Sequence, residues 1–175
     1  MRQTAMRQTM RVLGLAACLA ALPLLANCGF VPLYAQRSVT TGMTAIEVDA
    51  PQTRTGYFLE HDLRNGLETD ASANKLYTLK ITMKEQHFAV GYQVDDTSLR
   101  SEITAQVSYD LIDKSTGKSL YKDNFSDTVT YDTTRSPFTG VVAQQDAQKR
   151  IATDISGKIQ TALALYFHGD APKAP

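Results

Sequence analysis

Two stretches decide the fold: Tyr77-Thr78-Leu79-Lys80-Ile81-Thr82-Met83-Lys84 and Leu99-Arg100-Ser101-Glu102-Ile103-Thr104-Ala105-Gln106-Val107-Ser108-Tyr109-Asp110-Leu111. In the first, apolar Tyr77, Leu79, Ile81 and Met83 alternate with Thr and Lys; in the second, Ile103 to Leu111 alternate with Thr, Gln, Ser and Asp. A period of two places one set on each side of a sheet, so both are strands with one face buried and one face wet. Beyond Met83 the phase changes, because Phe88 and Val90 occupy the other parity. A bulge or strand end is therefore expected near Glu85 and Gln86.

Working outward, Asp113-Lys114-Ser115-Thr116-Gly117-Lys118 has the composition of a hairpin turn. Tyr121, Phe125, Val129 and Tyr131 continue as a further strand, in which Asp123 and Asp127 interrupt the apolar parity, as in an edge strand protected by charge. Upstream, Ile46 and Val48 alternate with Glu47 and Asp49 in a short strand ended by Pro51. Leu59, Leu63 and Leu67 then recur every four residues, with Thr53 or Thr55 as the N-cap of a helix over 55–68. Gly56 and Gly66 share roughly that face, which either weakens the helix or lets it approach a sheet closely. Ser136-Pro137 reads as a helix entry, delayed by Gly140, and Ile151, Ile155, Ile159, Ala162, Leu163 and Tyr166 form the stripe of a long amphipathic helix. The order β-α-β-β-β-α predicts an α+β fold: a four-stranded mixed sheet with two helices packed on one face.

The N-terminus is of another kind. Arg2, Arg7 and Arg11 precede an uncharged apolar run from Val12 to Ala26. That run suits an export signal and is short for a spanning helix, which needs about 20 apolar residues. Leu25-Ala26-Asn27-Cys28-Gly29 has the layout of a lipobox, making Cys28 the expected lipidation site. The competing Cys18 would leave too short a hydrophobic segment before it, and an incidental cysteine in an ordinary signal is the bland alternative. Residues 1–27 then form the signal, 28–42 the lipidated N-terminus and a polar tether, 43–168 one α+β domain, and 169–175 a frayed tail. A cysteine with more than one acyl chain anchors the chain to a membrane without spanning it.

Composition narrows the function. Hydrophobic residues make up 43% of the chain, enough for one core. Beyond residue 27 there remain 15 basic and 18 acidic residues, which disfavours a nucleic-acid binder. Two cysteines, both near the apolar run, exclude a disulfide framework and a Cys-rich metal site. Glu85 and His87 share a strand face, but two ligands do not make a metal site; a solvent-facing pair is the simpler reading. Glu60, His61 and Asp62 point in different directions from a helix. There is no nucleophile elbow, P-loop or dinucleotide fingerprint, so neither an enzyme nor a cofactor is expected.

Cys28-Gly29-Phe30-Val31-Pro32-Leu33-Tyr34 resembles the start of the alphaproteobacterial form of the LPS-assembly lipoproteins, the LptE family. Val129-Thr130-Tyr131-Asp132, Ser136-Pro137-Phe138, Ala143-Gln144-Gln145-Asp146-Ala147 and Ala164-Leu165-Tyr166-Phe167 are similar to that family's last strand and C-terminal helix. The resemblance implies a non-enzymatic outer-membrane lipoprotein, an assembly partner and plug of the LptD β-barrel in lipopolysaccharide export. An accessory lipoprotein of an ABC-type lipid transporter, or a lipid-anchored hydrolase, would be the competing classes. Lipopolysaccharide phosphates call for cations, and the candidates are Arg100 on the polar parity and the turn pair Lys114 and Lys118. Arg100 also has acidic neighbours for a structural pair in Glu102, Asp95 and Asp96.

Overall fold

The computed structural model describes residues 37–67, 74–92, 98–133 and 137–169. Cys28, Asp95, Asp96 and the tail from residue 170 lie outside them. The elements in chain order are α1 (Arg37–Thr44), β1 (Ile46–Asp49), α2 (Arg54–Gly66), β2 (Tyr77–Tyr92), β3 (Ser98–Asp113), β4 (Ser119–Asp132) and α3 (Pro137–His168). The strands lie side by side in sequence order, β1 parallel to β2 and the rest antiparallel. This is the α+β sheet that the alternation predicts.

The helices cover one face. Leu79 and Ile81 of β2, and Ile103, Ala105, Val107, Tyr109 and Leu111 of β3, are buried against Leu59, Leu63 and Leu67 and against Ala147, Ile151, Ile155, Ile159 and Leu163 of α3. The 3.6-residue period of the helices and the two-residue period of the strands bring one apolar layer onto another. Thr53 caps α2, its side-chain oxygen accepting from the Gly56 N–H at 3.0 Å. The glycines of α2 serve neighbours other than the sheet. A Cβ on Gly56 would lie 1.9 Å from the Pro51 carbonyl oxygen, and one on Gly66 would overlap the Gln160 side chain of α3.

Three expectations need correction. The polar stretch expected as a tether is helical from Arg37, because Val39 and Met43, one turn apart, bury in the core. A third helix thus joins the two predicted. No bulge interrupts β2 at Glu85 or Gln86: its register with β3 is unbroken from Tyr77↔Asp113 to Val90↔Arg100, and the irregularity lies between β3 and β4, at Leu111 and Ile112. The apolar phase changes there because the strand continues while the residues it needs to bury do not. Gly140 does not delay the last helix, which starts at Pro137.

Candidate functional site

The face turned away from the helices is built from hydroxyl, amide and charged side chains. Thr78, Lys80, Thr82, Lys84 and Gln86 of β2 stand beside Asp110, Ser108, Gln106 and Thr104 of β3 and Lys122, Asn124, Ser126 and Thr128 of β4. The side chains bond across strands: Thr104 and Thr128 hydroxyls are 3.1 Å apart, Ser119 donates to Asp110 at 2.6 Å, and Thr82 donates to the Ser108 carbonyl at 3.3 Å. Such a surface keeps hydrogen-bonding capacity in reserve and offers no apolar patch in its middle.

One end of this face is the turn from Asp113 to Lys118. The Asp113 carboxylate accepts from the Ser115 hydroxyl at 2.6 Å and from the Ser115 and Thr116 N–H groups at 2.7 and 3.0 Å. These bonds, the Ser115 hydroxyl first, hold its carboxyl below the usual carboxylate range. Gly117, at φ 68°, takes the left-handed conformation that closes the hairpin. Lys114 donates to Glu47 of β1, and that bond together with its charge lowers the Glu47 carboxyl. Below the turn, on the helix side, Tyr109, Tyr121 and Tyr166 form an aromatic chain, with ring centroids 6.0 and 5.4 Å apart. Burial pushes the Tyr109 hydroxyl well above the usual phenol range.

Arg100 lies at the opposite end. Its Nε is 3.4 Å from Asp132, its neighbour across β4. It does not join Lys114 or Lys118; the pair with Asp132 comes from β4, and the loop aspartates lie outside the described residues. Beside it Arg150 of α3 donates to Asp146 at 2.9 Å and to the Thr130 carbonyl at 3.3 Å. Together with Tyr131, Thr139 and Ala143 these residues line an open hollow of about 450 Å³. Sequence reasoning missed this hollow, although the i,i+4 spacing of Asp146 and Arg150 was a legible half of it. Glu85 Oε2 and His87 Nε2 lie 3.6 Å apart on the helix-side face. Among the described residues no three His, Cys, Asp or Glu side chains gather to hold a metal ion.

The sequence matches the LptE lipopolysaccharide-assembly family over residues 43–163, from the end of α1 to the last turns of α3. The chain belongs to that family. A chain from Caulobacter crescentus CB15 described as a lipoprotein is 34% identical, with a TM-score of 0.66 over 77% of this chain and 98% of that one. Two more distant structures share the fold. A minor lipoprotein from Acinetobacter baumannii is 14% identical, with a TM-score of 0.54 over 74% of this chain and 93% of its own. Rare lipoprotein B from Shewanella oneidensis is 10% identical, with a TM-score of 0.54 over 71% and 95%. No curated protein matches. This member of the LptE family is thus a lipopolysaccharide-assembly protein with one sheet face that is polar and, among the described residues, uncovered.

Proposed function

We propose that this LptE-family protein is an outer-membrane lipoprotein, anchored through Cys28, that lodges as a plug and assembly partner in the lumen of an LptD-type β-barrel. The observation that carries the reading is the polar sheet face turned away from the helices: rows of Thr, Ser, Gln and Asn with interspersed charge suit the polar interior of a transmembrane barrel. The role is one of shape and binding, with no catalytic step. Lys114 and Lys118 remain the candidates for a lipopolysaccharide headgroup, with Lys118 the better placed because Lys114 is engaged by Glu47. Arg100, a full strand length away, would serve a separate contact.

The deciding experiment is gentle solubilisation of membranes and recovery through a tag placed after Pro175. A large β-barrel protein is expected, held by an interface of the size of obligate complexes; an ABC ATPase complex without a barrel would overturn the reading. Cys28→Ala should abolish labelling by a fatty-acid analogue and release the protein from membranes, whereas Cys18→Ala should leave both intact.

A further inference from the structure

We propose that the edge of β2 beyond β1, at Met83, Glu85 and His87, is a docking site for an extended partner strand in which apolar and acidic residues alternate. β1 covers β2 only from Tyr77 to Lys80. The Leu76 and Tyr77 N–H groups both donate to the Ala45 carbonyl where β2 begins. Within the strand Tyr77 is the residue paired with β1, and the Leu76 carbonyl, accepting from the Lys114 N–H, sets the even residues on the β3 side. Odd-numbered residues therefore aim their N–H and C=O groups at the β1 edge, and alternation carries Met83, Glu85 and His87 to that same edge. Among the described residues no strand pairs with them there, and their backbone groups meet no side chain.

The other edge of the same sheet is treated differently. On β4 the Asp123 carboxylate accepts the Asn124 N–H at 2.8 Å, Asp127 accepts the Thr128 N–H at 3.0 Å, and Arg150 covers the Thr130 carbonyl. Those carboxylates are held in turn, Asp123 by the Tyr109 hydroxyl at 3.5 Å and Asp127 by the Lys158 ammonium at 2.8 Å. Carboxylates that already accept these outward N–H groups leave an added strand fewer donors to bond. One edge is closed by its own residues; among the described residues the other is open.

β1 shows what the open edge accepts. Ile46 and Val48 face the core, Glu47 and Asp49 face outward, and Asp49 sits opposite Lys80. Lys84 is the next cation along that outer row; its β3 neighbour is Gln106, and among the described residues no carboxylate pairs with it. A strand continuing β1's pattern would place an acid beside Lys84 and an apolar side chain beside half-buried Met83. The site stands whether or not a barrel is the partner.

The test uses the full chain in detergent and a synthetic peptide alternating valine and glutamate, with backbone amide exchange as the readout. Exchange at Met83, Glu85 and His87 should slow by at least about tenfold on saturation, a change worth about 1.4 kcal/mol, with Asn124 and Thr128 unchanged. Lys84→Glu should abolish the effect and transfer it to a valine–lysine peptide. Glu85→Pro, which removes an N–H aimed at the open edge and none from the β2–β3 ladder, should also abolish it. Unaltered exchange, slowing that survives Lys84→Glu, or slowing that needs no peptide and grows with protein concentration, as for a second copy, would each overturn the proposal.

Discussion

Leu79 and Phe88 lie on one unbroken strand and live in different worlds. Leu79 is sealed beneath the helices, while Phe88, nine residues on and of opposite parity, is 46% exposed. Around Leu79 the odd residues are apolar because a second layer sits on them; around Phe88 the odd residues are Glu85 and His87, which lie side by side. The same end of the molecule carries Phe138, Val141 and Val142, large apolar residues exposed on the first turns of α3. Hydrophobic alternation reports burial where a partner layer exists within the chain. Where none does among the described residues, an apolar side chain is no longer evidence of a core.

The sharpest way to break this comparison is to truncate both residues. Leu79→Ala should cost about 2–5 kcal/mol in urea unfolding, the range for a large side chain removed from a core. Phe88→Ala should stay within about 0.5 kcal/mol, as a surface change does. Equal losses would mean that the far end is packed after all.

Met43 sharpens the boundary on the other side of the domain. As the first residue of the expected domain it should behave as core: Met43→Ala in the core contact of α1 is expected to cost about 2 kcal/mol, at the low end for buried methionine. Two glycines divide the same way. Gly56→Ala drives a Cβ into the Pro51 carbonyl and should destabilise by about 1–3 kcal/mol. Gly157→Ala, in the interior of α3 with open space around it, should stabilise by about 0.5–1 kcal/mol. Thermal unfolding midpoints moving in opposite directions would confirm the pair; a shared direction would not.

The smallest effect concerns the turn. The Glu47 and Asp113 carboxyls are both depressed on folding, so their stabilisation is complete above the usual carboxylate range and is lost as pH falls through their folded values. In an NMR titration Lys114→Gln should move the Glu47 midpoint back up and leave Asp113 in place, since Asp113 owes its shift to Ser115 and Thr116. Overall stability should change by less than about 1 kcal/mol, as for an exposed ion pair.

Much of this was written in the chain. The alternation from Tyr77 to Met83 and from Ile103 to Leu111, the Thr53 cap, the Asp-to-Gly turn and the four-residue leucine spacing are local signals, each set by the geometry of a single strand or helix. The edge position of β4 was legible too, because Asp123 and Asp127 break an apolar parity that a central strand would keep. The family resemblance likewise rests on residues contiguous in sequence. What only the tertiary structure decided was which local pattern met a partner. Val39 and Met43 look incidental until α3 lies against them; Phe88 and Val90 look like a shifted strand until the register proves continuous. Arg100 has acids on both sides in sequence, and its pair with Asp132, 32 residues away, exists only because β4 lies alongside. The physical reason is common to all three. Backbone periodicity is short-ranged and written residue by residue, while burial and charge pairing depend on which distant segment arrives, and that is fixed only when the sheet and its helices have closed on one another.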